Sequence, residues 1–467
     1  MATIEPETAT QVLREALSRG AGWAELFCEE STALTINYEE GRVDRAVAGR
    51  DRGAGIRVVC DDRSAFAVSD DLDVASLLAV ARAAAAACAA GAAGSLAVIR
   101  ERVRLPAFQV KEPPQTWAPP QKVALLERAD RAARGHDPHV TQCAGSYREQ
   151  VRRLKLFNSD GRWVEDERVY VRLTVNVVAA KDGVVQTGLR TMGMIAGMEL
   201  FDGSSPEAAG REAAAQAVVN LFAAPAPSGP MAVVMCPGWG GVLFHEASGH
   251  ALEGDTVVRG YSVFAGRVGE VVASPLVTAI DDPTQPGAWG SYYADDEGEP
   301  ARPIVLIEHG VLVGYLWDRR NAARYGVKST SHGRRQSYQY PPIPRMANTF
   351  IAAGDVDPAS IIAATGRGFY ARDLRGGQVN PVTGDFVFTV SEGYLIRNGK
   401  ADEPVRGATL IGNGPEILKR IDMVGDDLSL APGLCGKGGQ SVPTTVGQPT
   451  LRISEITVGG TAAAGGG

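Results

Sequence analysis

The sequence has no excess of positive charge, no paired cysteine spacing and no apolar run suited to a membrane. Lys and Arg number 47 against 54 Asp and Glu, a net charge of -7. A nucleic-acid scaffold would show a basic surface, so that class is set aside. The six cysteines, at 28, 60, 88, 143, 236 and 435, are scattered. That pattern suits a reducing compartment better than a disulfide framework. The most apolar stretch, Leu77 to Ala93, is alanine-rich, carries Arg82 and is broken at Gly91. It reads as a soluble helix rather than a membrane span. The opening Met1-Ala-Thr-Ile-Glu-Pro-Glu lacks a basic region followed by an apolar one, so no signal peptide is expected and a cytoplasmic protein is. No repeat of fixed period is present. Histidine is scarce too, and two of the six fall within one short stretch.

What is present is ordinary globular composition, 45% hydrophobic and 22% charged, in a chain of 467 residues long enough for two or three domains. The pattern predicts an α+β protein. An N-terminal α/β layer domain with a mostly antiparallel sheet is expected over 1–105. It holds a helix over 7–19, strands over 24–29, 34–38, 55–60 and 63–68, and a helix over 74–90. Five prolines between Pro106 and Pro120 mark a linker. A middle α+β domain over 121–225 opens with a helix to about 135. It continues with hairpins turning at Asn158-Ser159-Asp160-Gly161 and Asp182-Gly183, and closes with a helix from Pro206 to Phe222. A strand-rich C-terminal domain over 226–460 follows, with hairpins at His309-Gly310 and Asn398-Gly399. The tail, 461–467, is expected to be disordered.

The stretch that organises the rest is Phe244-His245-Glu246-Ala247-Ser248-Gly249-His250-Ala251-Leu252-Glu253-Gly254-Asp255. It follows an apolar run, Met231 to Cys236, and a glycine-rich turn, and reads as a helix carrying His-Glu-x-x-x-His. In the shorter His-Glu-x-x-His spacing, two imidazoles share one helix face and grip a metal while the glutamate serves as base. A gap of five residues separates the side chains by about 140° on an ideal helix. Convergence therefore requires a distortion, such as a single π-type turn, and Gly249 is where the backbone yields most easily. The competing reading is an amphipathic helix with two incidental histidines.

Further along, Gly433-Leu434-Cys435-Gly436-Lys437-Gly438-Gly439-Gln440 sets a cysteine between glycines, with Lys437 placed to favour its thiolate. An idle, buried cysteine is the alternative, and Cys236 at the end of an apolar strand is expected to be one. Glu253 and Asp255 are candidates to accept an N–H from a metal-bound histidine, against an exposed acidic helix end. Arg334 and Arg335, in a Gly-rich loop, could bind a substrate carboxylate or backbone carbonyls, against a surface salt bridge. Asp295-Asp296-Glu297 suggests a turn or interface contact more than a Ca²⁺ or Mg²⁺ site. His136, His139, His309 and His332 are expected in solvent.

Several of these segments, taken in order, resemble the TldD/PmbA family, in its TldD branch. They are Gly53-Ala-Gly-Ile-Arg-Val58, His245 to Asp255, Gly290-Ser-Tyr-Tyr-Ala-Asp-Asp-Glu-Gly298, Gly333-Arg-Arg-Gln-Ser-Tyr338, Arg345-Met-Ala-Asn-Thr349 and Gly433 to Gly460. The resemblance runs over nearly the whole chain. It implies a cytoplasmic metallopeptidase, usually with zinc, in which His245, His250 and Cys435 hold the metal and Glu246 is the general base. It also implies peptide or unfolded-protein substrates entering as an extended strand. The implied partner is a TldE/PmbA-like subunit without the metal motif, or else a second copy, with the site enclosed in the dimer. Two imidazoles and a thiolate suit Zn²⁺ and leave a fourth position for water, with iron left open. A thiolate ligand makes modest turnover the expectation.

Three readings follow from these residues. The first is a zinc-dependent peptidase. The second is a metal-dependent amide hydrolase acting on a small biosynthetic metabolite, which would use the same site in a smaller pocket. The third is a non-catalytic scaffold subunit, against which the intact His245, Glu246, His250 and Cys435 count.

Overall fold

The computed structural model describes residues 4–61, 63–88, 95–99, 101–103, 105–106, 108–380 and 382–461. The expected α+β class holds, with three sizeable sheets and helices packed on them. Among the described residues no helix is long and apolar enough to cross a membrane.

The first sheet has seven strands and is built from long antiparallel ribbons. The expected runs 24–29 and 34–38 are one strand, Trp23–Glu39, and 55–60 is the end of another, Arg42–Cys60. Trp23–Glu39 pairs on its other side with Val140–Asn158 in an unbroken register from Glu25↔Asn158 to Glu39↔Ala144. Strands from either side of the proline-rich segment thus share one sheet, which short-range sequence periodicity could not reveal. One face is covered by helices. Pro6–Leu17 and Val74–Ala87 pack over the first strands, and Pro119–Arg134 and Pro206–Phe222 over the later ones. Pro119 and Pro120 belong to the first turn of their helix, where the missing N–H costs nothing. The helix ends at Ala87 with Cys88 as its cap, and residues 89–90 of the expected 74–90 helix and the tail beyond 461 lie outside the described residues.

The hairpins turn where the sequence placed them. Asp182-Gly183, His309-Gly310 and Asn398-Gly399 all have positive φ at both positions, the geometry that matches the twist of a two-residue hairpin. The cysteine expectation is corrected. Cys60, ending a strand, and Cys88, just past a helix, are bonded as a disulfide with Cα atoms 6.1 Å apart, while Cys28, Cys143, Cys236 and Cys435 are free. Cys236 is buried, and burial pushes its thiol up to about 12.

The C-terminal part holds two large sheets around the largest core, besides the short ribbon Gly333–Arg334/Ile343–Pro344. In one, Arg367–Val379 pairs with both Gly229–Met235 and Asp385–Arg397. Thr409–Asn413 and Leu451–Gly459 complete the circuit, so five strands close into a ring. The other sheet runs in the order Val311–Leu312, Ile304–Glu308, Ala279–Asp281, Asn348–Ile351, Gln440–Gln448, Ser429–Lys437. It ends on the strand that carries Cys435.

A buried ionic seam joins the first sheet to this part. Arg57 bonds Glu25 and Glu297 at 3.1 and 2.6 Å, Arg152 bonds Glu29, and Arg168 bonds Asp296 at 3.0 Å. Asp295, Asp296 and Glu297 are each 1% exposed and belong to this interface. Tyr338 packs over the Gly53-Ala54-Gly55 segment. A Cβ at Gly53 would lie 2.2 Å from the Tyr338 ring, which explains the glycine by close approach.

Candidate metal centre

His245 and His250 are not on one continuous helix. Val242–Ala247 is α-helical, Ser248 leaves it at φ -135°, and Gly249–Leu252 is a 3₁₀ turn. The break, rather than a π-type widening, removes the 140° divergence and sets the two rings 5.0 Å apart, edge to face. Gly249 has a packing role: a Cβ there would meet Met346 Sδ at 2.4 Å. The helix is short because its start is fixed by the glycine turn Gly238–Gly241. It is pinned on one side by Gly447, whose backbone a Cβ at Gly241 would strike at 2.5 Å.

Cys435 arrives on the opposite element, the hairpin Ser429–Lys437/Gln440–Gln448, turning at Gly438 and Gly439 with φ 59° and 73°. Its Sγ lies 3.3 Å from His245 Nε2 and 3.3 Å from His250 Nε2. A tetrahedral zinc with ordinary Zn–N and Zn–S bonds sets nitrogen and sulfur about 3.6 Å apart. The three atoms therefore fit one ion. Among the described residues this is the group of His, Cys, Asp and Glu side chains converged closely enough to hold a metal. Burial alone would push the Cys435 thiol up, but the two imidazoles outweigh it and hold it at about 4. The ligand form is thus the thiolate.

The surroundings orient these ligands. Glu253, fully buried, accepts from His250 Nδ1 at 2.9 Å, which leaves Nε2 facing Cys435. Burial works against the Glu253 charge, yet Lys437 and His250 hold its carboxyl well below the usual range. Lys437 Nζ lies 2.7 Å from Glu253 Oε2 and 2.5 Å from Asp255 Oδ1. Lys437 is therefore tied to these acids, and the imidazoles stabilise the thiolate instead. Asp255 touches Lys437 rather than a histidine. Glu246 is the reacting-side candidate: its carboxylate is 34% exposed and 3.7 Å from His250 Nε2.

Other expectations are corrected by burial. Arg334 and Arg335 are 2% and 0% exposed, so no surface salt bridge and no open substrate loop exists there. Arg334 donates to the carbonyls of Met346 and Pro443 at 2.5 and 2.7 Å, and Arg335 is bonded to Glu25 and Asp296 in the seam. His332 is not in solvent; it is fully buried with Nε2 3.0 Å from Asp281 Oδ1. Asp281 in turn accepts from the Ala347 N–H at 2.9 Å and from the Thr349 hydroxyl.

Sequence reasoning gave no role to the Arg345–Thr349 segment. Its Arg345 donates to the Cys435 carbonyl and its Met346 N–H to Glu253 Oε1 at 3.3 Å. The signal was an arginine beside a methionine with no helical or strand period, too weak to assign.

Comparison with known proteins shows the family. Residues 24–88, 112–221 and 228–460 match, in order, the first, central and C-terminal domains of the PmbA/TldA metallopeptidases. A metalloprotease TldD homolog of Haemophilus influenzae is 40% identical over 95% of this chain and 94% of its own. The chain belongs to the PmbA/TldD family. A metalloprotease of Methanothermobacter thermautotrophicus is 35% identical over 94% of this chain and 96% of its own. Solved structures share the fold of the family. TldE from Thermococcus kodakarensis gives a TM-score of 0.78 at 22% identity, covering 97% of this chain and 99% of that one. A Thermotoga maritima protein gives 0.80 at 20%, with the same coverage. Membership of this metallopeptidase family implies a metal cofactor, and the His245, His250 and Cys435 triad is where the chain can hold one.

Proposed function

We propose that the chain is a zinc-dependent peptidase that hydrolyses peptides or unfolded segments laid down as an extended strand. The observation that carries this reading is the convergence of two imidazoles and one thiolate at 3.3 Å, with the half-exposed Glu246 carboxylate beside them. When bound, zinc supplies Lewis acidity toward water and the scissile carbonyl. Glu246 takes the proton from the attacking water and returns it to the leaving amine. Glu253 holds the His250 ring, and Lys437 neutralises the acids behind it. Iron is the alternative metal, since the donor set accepts it.

The strand Ser429–Lys437 pairs on one side only, with Gln440–Gln448, and so ends its sheet. A peptide added to that edge gains main-chain hydrogen bonds without much sequence selectivity. Open edges also aggregate, which supports enclosure in a dimer, with a TldE/PmbA-like subunit or with a second copy. A cytoplasmic location belongs to the same reading; the four free cysteines support it, while the Cys60–Cys88 bond counts against it.

The test is metal content per chain by mass spectrometry on protein purified without added metal, followed by a peptide-hydrolysis screen. Wild type should hold close to one zinc or iron. His250→Ala and Cys435→Ala should lose it, and Glu246→Gln should keep it while hydrolysis falls by about 10²–10⁴-fold. Full metal occupancy in Cys435→Ala would sink the ligand assignment.

A further inference from the structure

Two cavities, of about 810 and 470 Å³, lie between the uncovered face of the first sheet and the Cys435 hairpin. They share Arg172 and Leu434 in their linings and so adjoin at that pair, the two together making a groove. Leu434 is 51% exposed to it, while the next residue, Cys435, is 4% exposed and points to the histidines. The groove and the metal centre thus flank the same edge strand on opposite faces.

Arg172 stands in an arrangement that stability alone would not favour. It sits directly opposite Arg148 on the neighbouring strand, and like charges so placed repel. Its other cross-strand neighbour is Gly193, over which the Trp289 indole packs. Arg172 Nε is buried with no hydrogen-bond partner. Burial, and then Arg148, both act against its charge, and no acid offsets them. Arg152 and Arg190, which line the same groove, are by contrast neutralised by Glu29 and by Asp373. Among the described residues, therefore, Arg148 and Arg172 stand side by side in the groove with no ion pair to either, beside the edge on which a peptide would lie. Of the other lining groups, Arg375 is bonded to the Thr187 hydroxyl, and the acids Glu212 and Asp373 pair with Arg190.

An extended peptide on that edge presents alternate side chains to the two faces. Those on the Leu434 side enter the groove. We propose that Arg148 and Arg172 form a subsite for a carboxylate of the bound peptide, so that the enzyme prefers peptides carrying an acidic side chain or a free C-terminus there. This rests on the extended-strand reading above. A planar guanidinium pairs with a carboxylate in bidentate fashion, and exclusion from water strengthens the pair.

The test uses the full zinc-loaded chain with Glu246→Gln, so that peptides bind without cleavage. Fluorescence anisotropy compares a short neutral peptide containing one Glu, moved along the sequence, with its Gln counterpart, each as a C-terminal amide. A second arm compares the free acid with the amide. One arm should show about tenfold tighter binding of the carboxylate form, and Arg172→Gln should abolish the difference. The arm that responds names the source of the carboxylate. Equal binding in both arms, a preference that survives Arg172→Gln and Arg148→Gln, or no binding at all overturns the proposal. Arg172→Met supplies an independent readout: loss of an unpaired charge raises the melting temperature, whereas a structural role would lower it and count against the subsite. Acid-selective binding without hydrolysis by wild type would sink the peptidase reading and leave the anion site standing.

Discussion

Glu253→Gln isolates the residue that orients the metal centre without itself holding metal. The wild-type carboxylate is fully buried and accepts three bonds, from His250 Nδ1 at 2.9 Å, Lys437 Nζ at 2.7 Å and the Met346 N–H at 3.3 Å. Hydrogen bonds to charged groups are worth roughly 1.5–3 kcal/mol each. Lys437 and His250 share Oε2 while the Met346 N–H meets Oε1. A glutamine that keeps its oxygen toward the two cations therefore turns its own N–H onto the Met346 N–H, and in either orientation the buried negative charge that Lys437 and His250 pair with is lost. A stability loss of about 3 kcal/mol follows, near the lower end of what breaking a buried ion pair costs. The same change weakens the hold on the His250 ring, and loss of such an orienting partner typically weakens metal binding 10–100-fold, about 1.4–2.7 kcal/mol. Zinc affinity would be read by competition with a chromophoric chelator, and stability by urea denaturation of the metal-free chain. Asp255→Asn is the matched comparison: Lys437 keeps Glu253, so both quantities should move by less than about 1 kcal/mol. A folded Glu253→Gln chain with zinc affinity within twofold of wild type would refute the orienting role.

Other outcomes follow from groups away from the metal. Asp318 is buried, and burial together with Glu297 raises its carboxyl to about 7. A raised acid binds its proton more tightly when folded, so its contribution to stability is present at low pH and is lost as pH rises toward 7. The loss is on the order of 4 kcal/mol. Asp318→Asn keeps the bond from the Asn321 N–H, so its stability relative to wild type should grow from pH 4 to pH 8; parallel melting curves across that range would refute this. The Cys60–Cys88 bond closes a 28-residue separation, for which chain entropy gives about 3–4 kcal/mol. Reductant, or Cys60→Ser, should lower the melting temperature accordingly, and an unchanged transition would show that the bond contributes nothing.

Much of the chain was legible one segment at a time. Asp182-Gly183 and Asn398-Gly399 specify their hairpins because few other pairs accept positive φ twice in succession. Pro206–Phe222 came out at its expected bounds, since Ser205 caps it through the Ala208 N–H and Pro206 fits its first position. At the metal centre, the residue types offered a histidine pair and a cysteine but left incidental histidines and an idle cysteine open, and the resemblance named the three. The failures share one cause. Arg334, Arg335 and His332 are polar residues read as loop positions, and a sequence cannot distinguish a solvated loop from a segment whose polar groups are met by partners outside its own stretch, such as Asp281 for His332 and Pro443 for Arg334. Arg335 finds Glu25, a separation of 310 residues.

The sequence by itself thus determined the elements, the turns and the kinds of atoms available for chemistry, because those depend on residues a few positions apart. Only the tertiary structure decided that strands on either side of the proline-rich segment share one sheet, and that a broken helix rather than a widened one brings His245 to His250. It alone set Cys435 against both, from separations of 190 and 185 residues. Those outcomes depend on burial and on pairing between distant segments, where the cost of an unpartnered charge, or of a Cβ at Gly249 or Gly53, is set by whatever the rest of the chain has placed there.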